Sequence, residues 1–222
     1  MRTRTRLPKN DVASNFMAVR CSREHAAVGV LLAISLLSIG CGSPRPIKYY
    51  QLSYPMKPFV APDAINTTLV VSPFETSRLY LDNRIVYGFD SPEMGTYQYH
   101  RWVDPPAEIV QDALIRGLRS TGQFKAVYPV RANSGGPFLL TGTLYDFKEV
   151  DGASVVARLS YDIHMRERKT GATVWDQSYS HDEPVPEKTV TAFVVAMQKN
   201  VQRSVQDVQA GLEEYFRAHP LQ

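Results

Sequence analysis

Few side chains in this 222-residue sequence are arranged for chemistry, and the most distinctive is a thiol. Cys41 directly follows Ala26–Gly40, a run without a charged residue. A thiol at such a junction is a nucleophile placed for acyl or thioether chemistry at a membrane surface. The histidines after it are His100, His164, His181 and His219. None makes an HExxH pair or another ligand spacing, and no second cysteine follows Cys41, so neither a zinc site nor a disulfide is expected. No GxSxG elbow, Walker A loop or GxGxxG is present. Asp182-Glu183 and Glu213-Glu214 are adjacent acids. Catalytic carboxylates must converge on one bond, so these pairs read as solvated charges. Asn66-Thr67-Thr68 matches a glycosylation sequon, a pattern of low specificity. Catalysis is not expected.

The segment before Cys41 explains the thiol. Arg20 and Arg23 precede the apolar run, which is shorter than the ~20 residues a helix needs to span a bilayer. A basic flank, a short apolar run and small residues before a break form a secretory signal. Leu37-Ser38-Ile39-Gly40-Cys41-Gly42-Ser43 resembles a bacterial lipobox, in which the cysteine is lipidated and becomes the first mature residue. Ser38 departs from the usual Leu, and Leu37 sits one place early. The expected division is therefore a signal peptide over 1–40, a lipidated N-terminus and tether over 41–46, a folded body over 47–217 and a tail over 218–222. Residues 1–16 make an unusually long leader, and a start at Met17 is expected. Each buried acyl methylene contributes about 0.8 kcal/mol, so several chains on Cys41 anchor the protein without a spanning helix. Gly42 stands where Asp would signal inner-membrane retention in enteric bacteria, which favours the outer membrane, periplasmic face.

Charge agrees with this division. The whole chain carries +3, but six of its 25 basic and two of its 22 acidic residues lie in the first forty, leaving −1 on the mature part. Nothing there calls for nucleic acid. Without a disulfide, stability must come from a packed core, and the mature length suits one domain.

The body reads as α+β. Ile47–Leu52 and Thr67–Val71 are β-rich, with a proline loop at Tyr54–Pro62 between them. Leu79–Leu81 and Arg84–Tyr87 flank Asp82-Asn83, which implies a turn within a small hairpin or an irregular excursion. Tyr97–Trp102 is extended. Asp104-Pro105-Pro106 starts a helix, with Asp104 as its expected cap, running to about Arg119 on a stripe of Val110, Leu114 and Leu118. Phe124–Val130 is a strand, and Ala132–Pro137 a loop. Phe138–Val150, Ser154–Arg168 and Ala172–Ser180 form a meander turning at Asp151-Gly152 and Lys169-Thr170-Gly171. In the middle strand Val155, Ala157, Leu159, Tyr161, Ile163 and Met165 share one face, a period of two that indicates a half-buried antiparallel sheet. His181–Pro186 reads as a linker. A helix from Glu187 to about Arg217 carries Val194, Met197, Val201, Val205, Val208, Leu212 and Tyr215 as its apolar stripe. The fold class expected is a single α+β domain, an antiparallel-rich sheet packed by two main helices.

Three stretches carry a family resemblance. Tyr49-Tyr50-Gln51-Leu52 after the lipobox resembles the YYxL opening of the ABC-type transport auxiliary lipoproteins. Arg78–Tyr87 and Tyr99–Pro106 resemble two further segments of that family, followed by a helix and by Gly122–Val127. Gly88 departs from a position where the family often has a basic residue. The resemblance implies no catalysis. It implies an accessory to an ABC transporter or permease working with an MCE-domain protein, moving phospholipids or other hydrophobic molecules between two membranes. The expected partners are that MCE protein with its transporter, and the membrane through the anchor; the only prosthetic group is the lipid on Cys41. A homo-oligomer matching a cyclic partner is compatible with this, though no residue specifies a subunit number. Tyr49, Tyr50, Tyr80, Tyr87, Tyr97, Tyr99 and Trp102 crowd the first half, either as core or as anchors of an interaction surface. Tyr80, Leu81 and Trp102 are the residues assigned to a docking face, with Trp102 also suited to a structural role at the helix entry. The rival readings are a lipid-binding carrier and a structural envelope lipoprotein without a transporter.

Overall fold

The computed structural model describes residues 45–53, 64–89, 91–131 and 135–221. Cys41, the proline loop, and 132–134 of the later loop lie outside them. Pro46–Gln222 form one compact unit. Its strands are β1 (Lys48–Tyr50), β2 (Ile65–Val71), β3 (Glu75–Thr76), β4 (Arg84–Phe89), β5 (Ser91–Trp102), β6 (Phe124–Pro129), β7 (Phe138–Asp151), β8 (Val155–Glu167) and β9 (Thr173–Pro184). Two helices, α1 (Pro106–Ser120) and α2 (Val190–Ala218), complete it. None of the helices among the described residues is long and apolar enough to cross a membrane.

β7 organises the sheet. Along one edge it pairs antiparallel with β8 for its full length, and β8 pairs antiparallel with β9. Its other edge is shared in succession by β2 at Phe138–Leu140, β3 at Thr143–Leu144 and β4 at Lys148–Asp151, all parallel. β6 extends the sheet beyond β2, while β5 and then β1 extend it beyond β4. The long ladders are thus antiparallel and the joints between them short and parallel. The alternation in β8 sets the buried face: Val155, Ala157, Leu159, Tyr161, Ile163 and Met165 are all buried.

Proline geometry begins α1. Pro105 is extended at the N-cap position and no side chain caps the helix, so Asp104 does not serve as expected; a fixed φ at Pro105 and Pro106 suffices to enter the first turn. Gly122 ends it at φ 61, a conformation that costs glycine little. α2 starts at Val190 because Thr189 caps it, its hydroxyl accepting from the Ala192 N–H at 3.1 Å. Met197, Val201, Val208 and Leu212 are buried as the spacing predicts, but the stripe is centred slightly differently. Phe193 and Phe216 are buried, while Val194, Val205 and Tyr215 only flank the core. Asn200 and Ser204 are buried within it. α1 and α2 approach closely at Gly117, where a Cβ would overlap Val205.

Two segments differ from their sequence reading. Asp82 does make a turn, its carboxylate accepting from the Arg84 N–H at 2.9 Å, but the residues before it form a 3-10 turn, Arg78–Tyr80, rather than a strand. The excursion alternative holds, and β4 makes its hairpin with β5 instead. His181–Pro184 is not linker: it continues β9, pairing with β8 as far as Val156 opposite Pro184. Arg158 on β8 binds Asp182 through two hydrogen bonds of 2.8 and 2.6 Å. A polar sequence can form a strand here because β9 is a sheet edge: Asp182 and Pro184 are exposed, and Pro184 forfeits no ladder bond.

Candidate docking surface

The β4–β5 hairpin and β1 bring aromatic rings from three separate stretches into one row. Tyr87 and Phe89 alternate along β4 and meet at a centroid distance of 5.9 Å. The Tyr87 ring lies across the hairpin over Gly95, where a Cβ would collide with its phenol end. Tyr97 is 5.0 Å from Tyr87, His100 is 5.7 Å from Tyr97, and Tyr50 stacks on His100 at 5.6 Å. A bulge in β5 between Thr96 and Arg101 turns Tyr97 and His100 into line. The row is half-buried except at its end, where Phe89 is 47% exposed.

Hydrogen bonds fix the row. The Tyr50 hydroxyl lies 2.8 Å from His100 Nδ1. Burial, helped by the charge of Lys48, lowers the His100 pKa and favours a neutral ring. The Tyr97 hydroxyl donates to Glu149 Oε1 at 2.8 Å. Glu149 is buried on the sheet's core-facing side, opposite Ala157, and burial raises its pKa. Burial, then the carboxylate, push the Tyr97 phenol above the usual tyrosine range. The carboxylate of Asp151 pushes both groups further up, and the effect of the pair is to hold Tyr97 in place.

The three residues assigned to docking separate. Trp102 is fully buried, 5.4 Å from Phe147 and 5.9 Å from Phe193, so it is a core residue joining β5, β7 and α2. Tyr80 is buried beneath the 3-10 turn, which pushes its phenol up to about 12. Neither offers surface to a partner. Leu81, next to Tyr80, is 62% exposed. Phe89 joined no sequence pattern and His100 only the family segment Tyr99–Pro106, because the row is built from strands that pair across the chain. The only hint was the density of tyrosines around them.

Of the adjacent acids, Asp182 is ion-paired with Arg158, and Glu213 accepts from the Gln209 amide at 2.8 Å. Glu183 accepts from Arg203 at 3.4 Å and lies 3.3 Å from His181 Nε2. Among the described residues no three His, Cys, Asp or Glu side chains converge to hold a metal. An open groove of about 950 Å³ between α1 and β6 mixes Arg116, Arg119 and Arg131 with Ile115 and Tyr128.

Comparison with known proteins decides the family. The sequence model for the ABC-type transport auxiliary lipoprotein component matches residues 50–209. The chain belongs to this family. The match runs from Tyr50, at one end of the aromatic row, well into α2, and so takes in every strand from β2 to β9. Among solved structures a similar fold is seen in a Xanthomonas campestris protein assigned to DUF330, at a TM-score of 0.67 and 15% identity, covering 75% of this chain and 94% of that one. An uncharacterized protein is similar at a TM-score of 0.59 and 13% identity, covering 74% and 97%. At these identities the likeness is one of fold. No curated protein gives a significant sequence match.

Proposed function

We propose that this family member is a non-catalytic envelope lipoprotein, anchored by lipid on Cys41 to the periplasmic face of the outer membrane. There it serves as the accessory part of an MCE/ABC-type system that moves lipid or another hydrophobic molecule between membranes. The family match across the sheet carries this reading. The apolar residues left at the surface support a protein contact rather than an acyl-chain cavity. The groove between α1 and β6 is open and lined in part by arginines, a poor lining for a hydrocarbon chain. Leu81 is the docking residue for the MCE protein, held outward by the Tyr80 side chain buried next to it.

The test is affinity capture from crosslinked envelopes with tagged wild-type, Cys41→Ala and Leu81→Asp proteins, read by mass spectrometry. The wild type is expected to capture an MCE-domain protein, and both variants to capture less. Leu81→Asp is the informative surface change, because an acid at Tyr80 or Trp102 would disrupt the core. No MCE protein with the wild type, and copurifying lipid instead, would replace this reading with a lipid carrier. Undiminished capture by Leu81→Asp would remove that residue from the contact.

A further inference from the structure

We infer that the end of the sheet carrying the β4–β5 hairpin rests on the phospholipid surface that holds the anchor, with Phe89 and Met94 as its contacts. This rests on lipidation of Cys41. The first observation is direction. β1 pairs parallel with β5, Lys48 opposite His100 and Tyr50 opposite Trp102. The chain therefore enters β1 from the side of β5 that leads back to Met94 and the hairpin turn. The second is reach. From Cys41 to Lys48 a fully extended chain spans roughly 24 Å. Along β5 the path from His100 back to Met94 is at most about 20 Å, and the bulge shortens it. The anchor thus holds Lys48 no farther from the lipid surface than about the length of the hairpin arm, well under the ~30–40 Å width of a body this size.

The third observation is what that end presents. Met94 is 52% exposed and sits opposite Gly88 beside the Lys148 side chain, while Phe89 leans on Tyr87 across the other face. At its end this hairpin exposes an apolar side chain on each face, Phe89 and Met94, whereas farther along β4 Ile85 and Val86 enter the core. Ile47, just before β1, and Tyr49 on it are also exposed, at 47% and 61%. The aromatic row runs back from Phe89 to Tyr50, so an amphipathic ridge leads from the hairpin to the tethered strand. Such rings favour the headgroup level, with the body in the apolar boundary and the hydroxyls wet. Charge favours no particular headgroup: Asp146 pairs with Lys148 at 2.6 Å, Asp151 pairs with Lys188 at 2.8 Å, and Glu93 on the hairpin offsets Lys48. A bilayer of zwitterionic lipid should therefore suffice. Leu81 lies at the opposite end of β4 from Phe89, so this orientation leaves the proposed docking residue facing away from the membrane.

The sequence provides its own probe, since no cysteine follows Cys41. Met94→Cys and, as the reference, Tyr128→Cys are labelled with an environment-sensitive thiol dye in the full lipidated protein. Tyr128 is exposed on β6, near the other end of β7. The proteins are placed in phosphatidylcholine vesicles carrying a nitroxide-labelled lipid, and flotation is measured alongside emission. The expected result is flotation of both, with a blue-shifted, quenched dye at 94 and an unchanged dye at 128. Flotation with no quenching at 94 overturns this orientation while leaving the anchor intact. Failure to float overturns the anchor, and the orientation with it. A dye shift at 94 that persists in detergent without vesicles and fades on dilution assigns the hairpin to a second copy of the chain, and overturns the membrane contact.

Discussion

Asn200→Asp isolates what holds α2 onto the sheet, because it changes the chemistry of a side chain and almost nothing of its shape. The Asn200 amide nitrogen donates to the Ala157 and His181 carbonyls, both at 2.8 Å, and its oxygen accepts from the Tyr179 hydroxyl at 2.8 Å. All of this is inside the core, since Asn200 has no exposed surface. Ionised, the new carboxyl keeps the tyrosine bond but turns an oxygen toward two carbonyl oxygens. Each unsatisfied buried acceptor costs about 1–3 kcal/mol, before the cost of burying the charge. The substituted protein escapes part of this by holding the carboxyl protonated, so that it donates one bond. Its folded pKa is then raised above the unfolded ~3.9, and the sign follows. The loss is smallest below pH 4 and grows by about 1.4 kcal/mol per pH unit until the folded pKa is passed. We expect a loss of about 2 kcal/mol at pH 4, rising to about 5 kcal/mol at pH 7. A whole domain has only about 5–15 kcal/mol, and a body this size loses roughly 10 °C in Tm for the larger figure. Asn200→Ala should cost an intermediate amount without the pH trend. Urea unfolding of the three proteins at pH 4, 5.5 and 7, each compared with wild type at the same pH, reads the effect. Equal costs for Asp and Ala with no pH trend would refute the reasoning and leave Asn200 as packing alone.

Three further outcomes are expected. Trp102→Ala should cost about 3–5 kcal/mol in urea unfolding, whereas a residue used only for docking would cost under 0.5 kcal/mol. Glu149→Gln keeps an acceptor for Tyr97 and removes the penalty of a buried charge. Because the Glu149 pKa is raised in the fold, the wild type loses stability as pH rises from about 4 through that raised value, so the variant should gain on it between pH 4 and 7 and match it at pH 4. Gly117→Val should cost about 1–3 kcal/mol through overlap with Val205, with part recovered in Gly117→Val/Val205→Ala; thermal melts of the two variants test this.

Patterns that close within one element were readable without coordinates. The period of two in β8 named its buried face residue by residue, since a strand has only two faces. The turn at Asp151-Gly152, the end of α1 at Gly122, and the body of the α2 stripe followed from equally local rules. The family segments lay in linear order as well. Tertiary structure decided the rest. Whether Tyr80 or Leu81 faces outward depends on a 3-10 turn set by where β3 and β4 meet β7. For Trp102 the docking and structural readings could not be separated in the sequence, because its partners, Phe147 and Phe193, are far away along the chain. The stripe of α2 could not reveal Asn200, a polar residue buried only because two strand carbonyls and a tyrosine hydroxyl are waiting for it. The aromatic row exists because β1 and β5 pair in parallel across fifty residues, and a pairing of that separation leaves no period in the chain to read. Local periodicity fixes which side of an element is apolar; only the meeting of distant elements decides whether that side is covered.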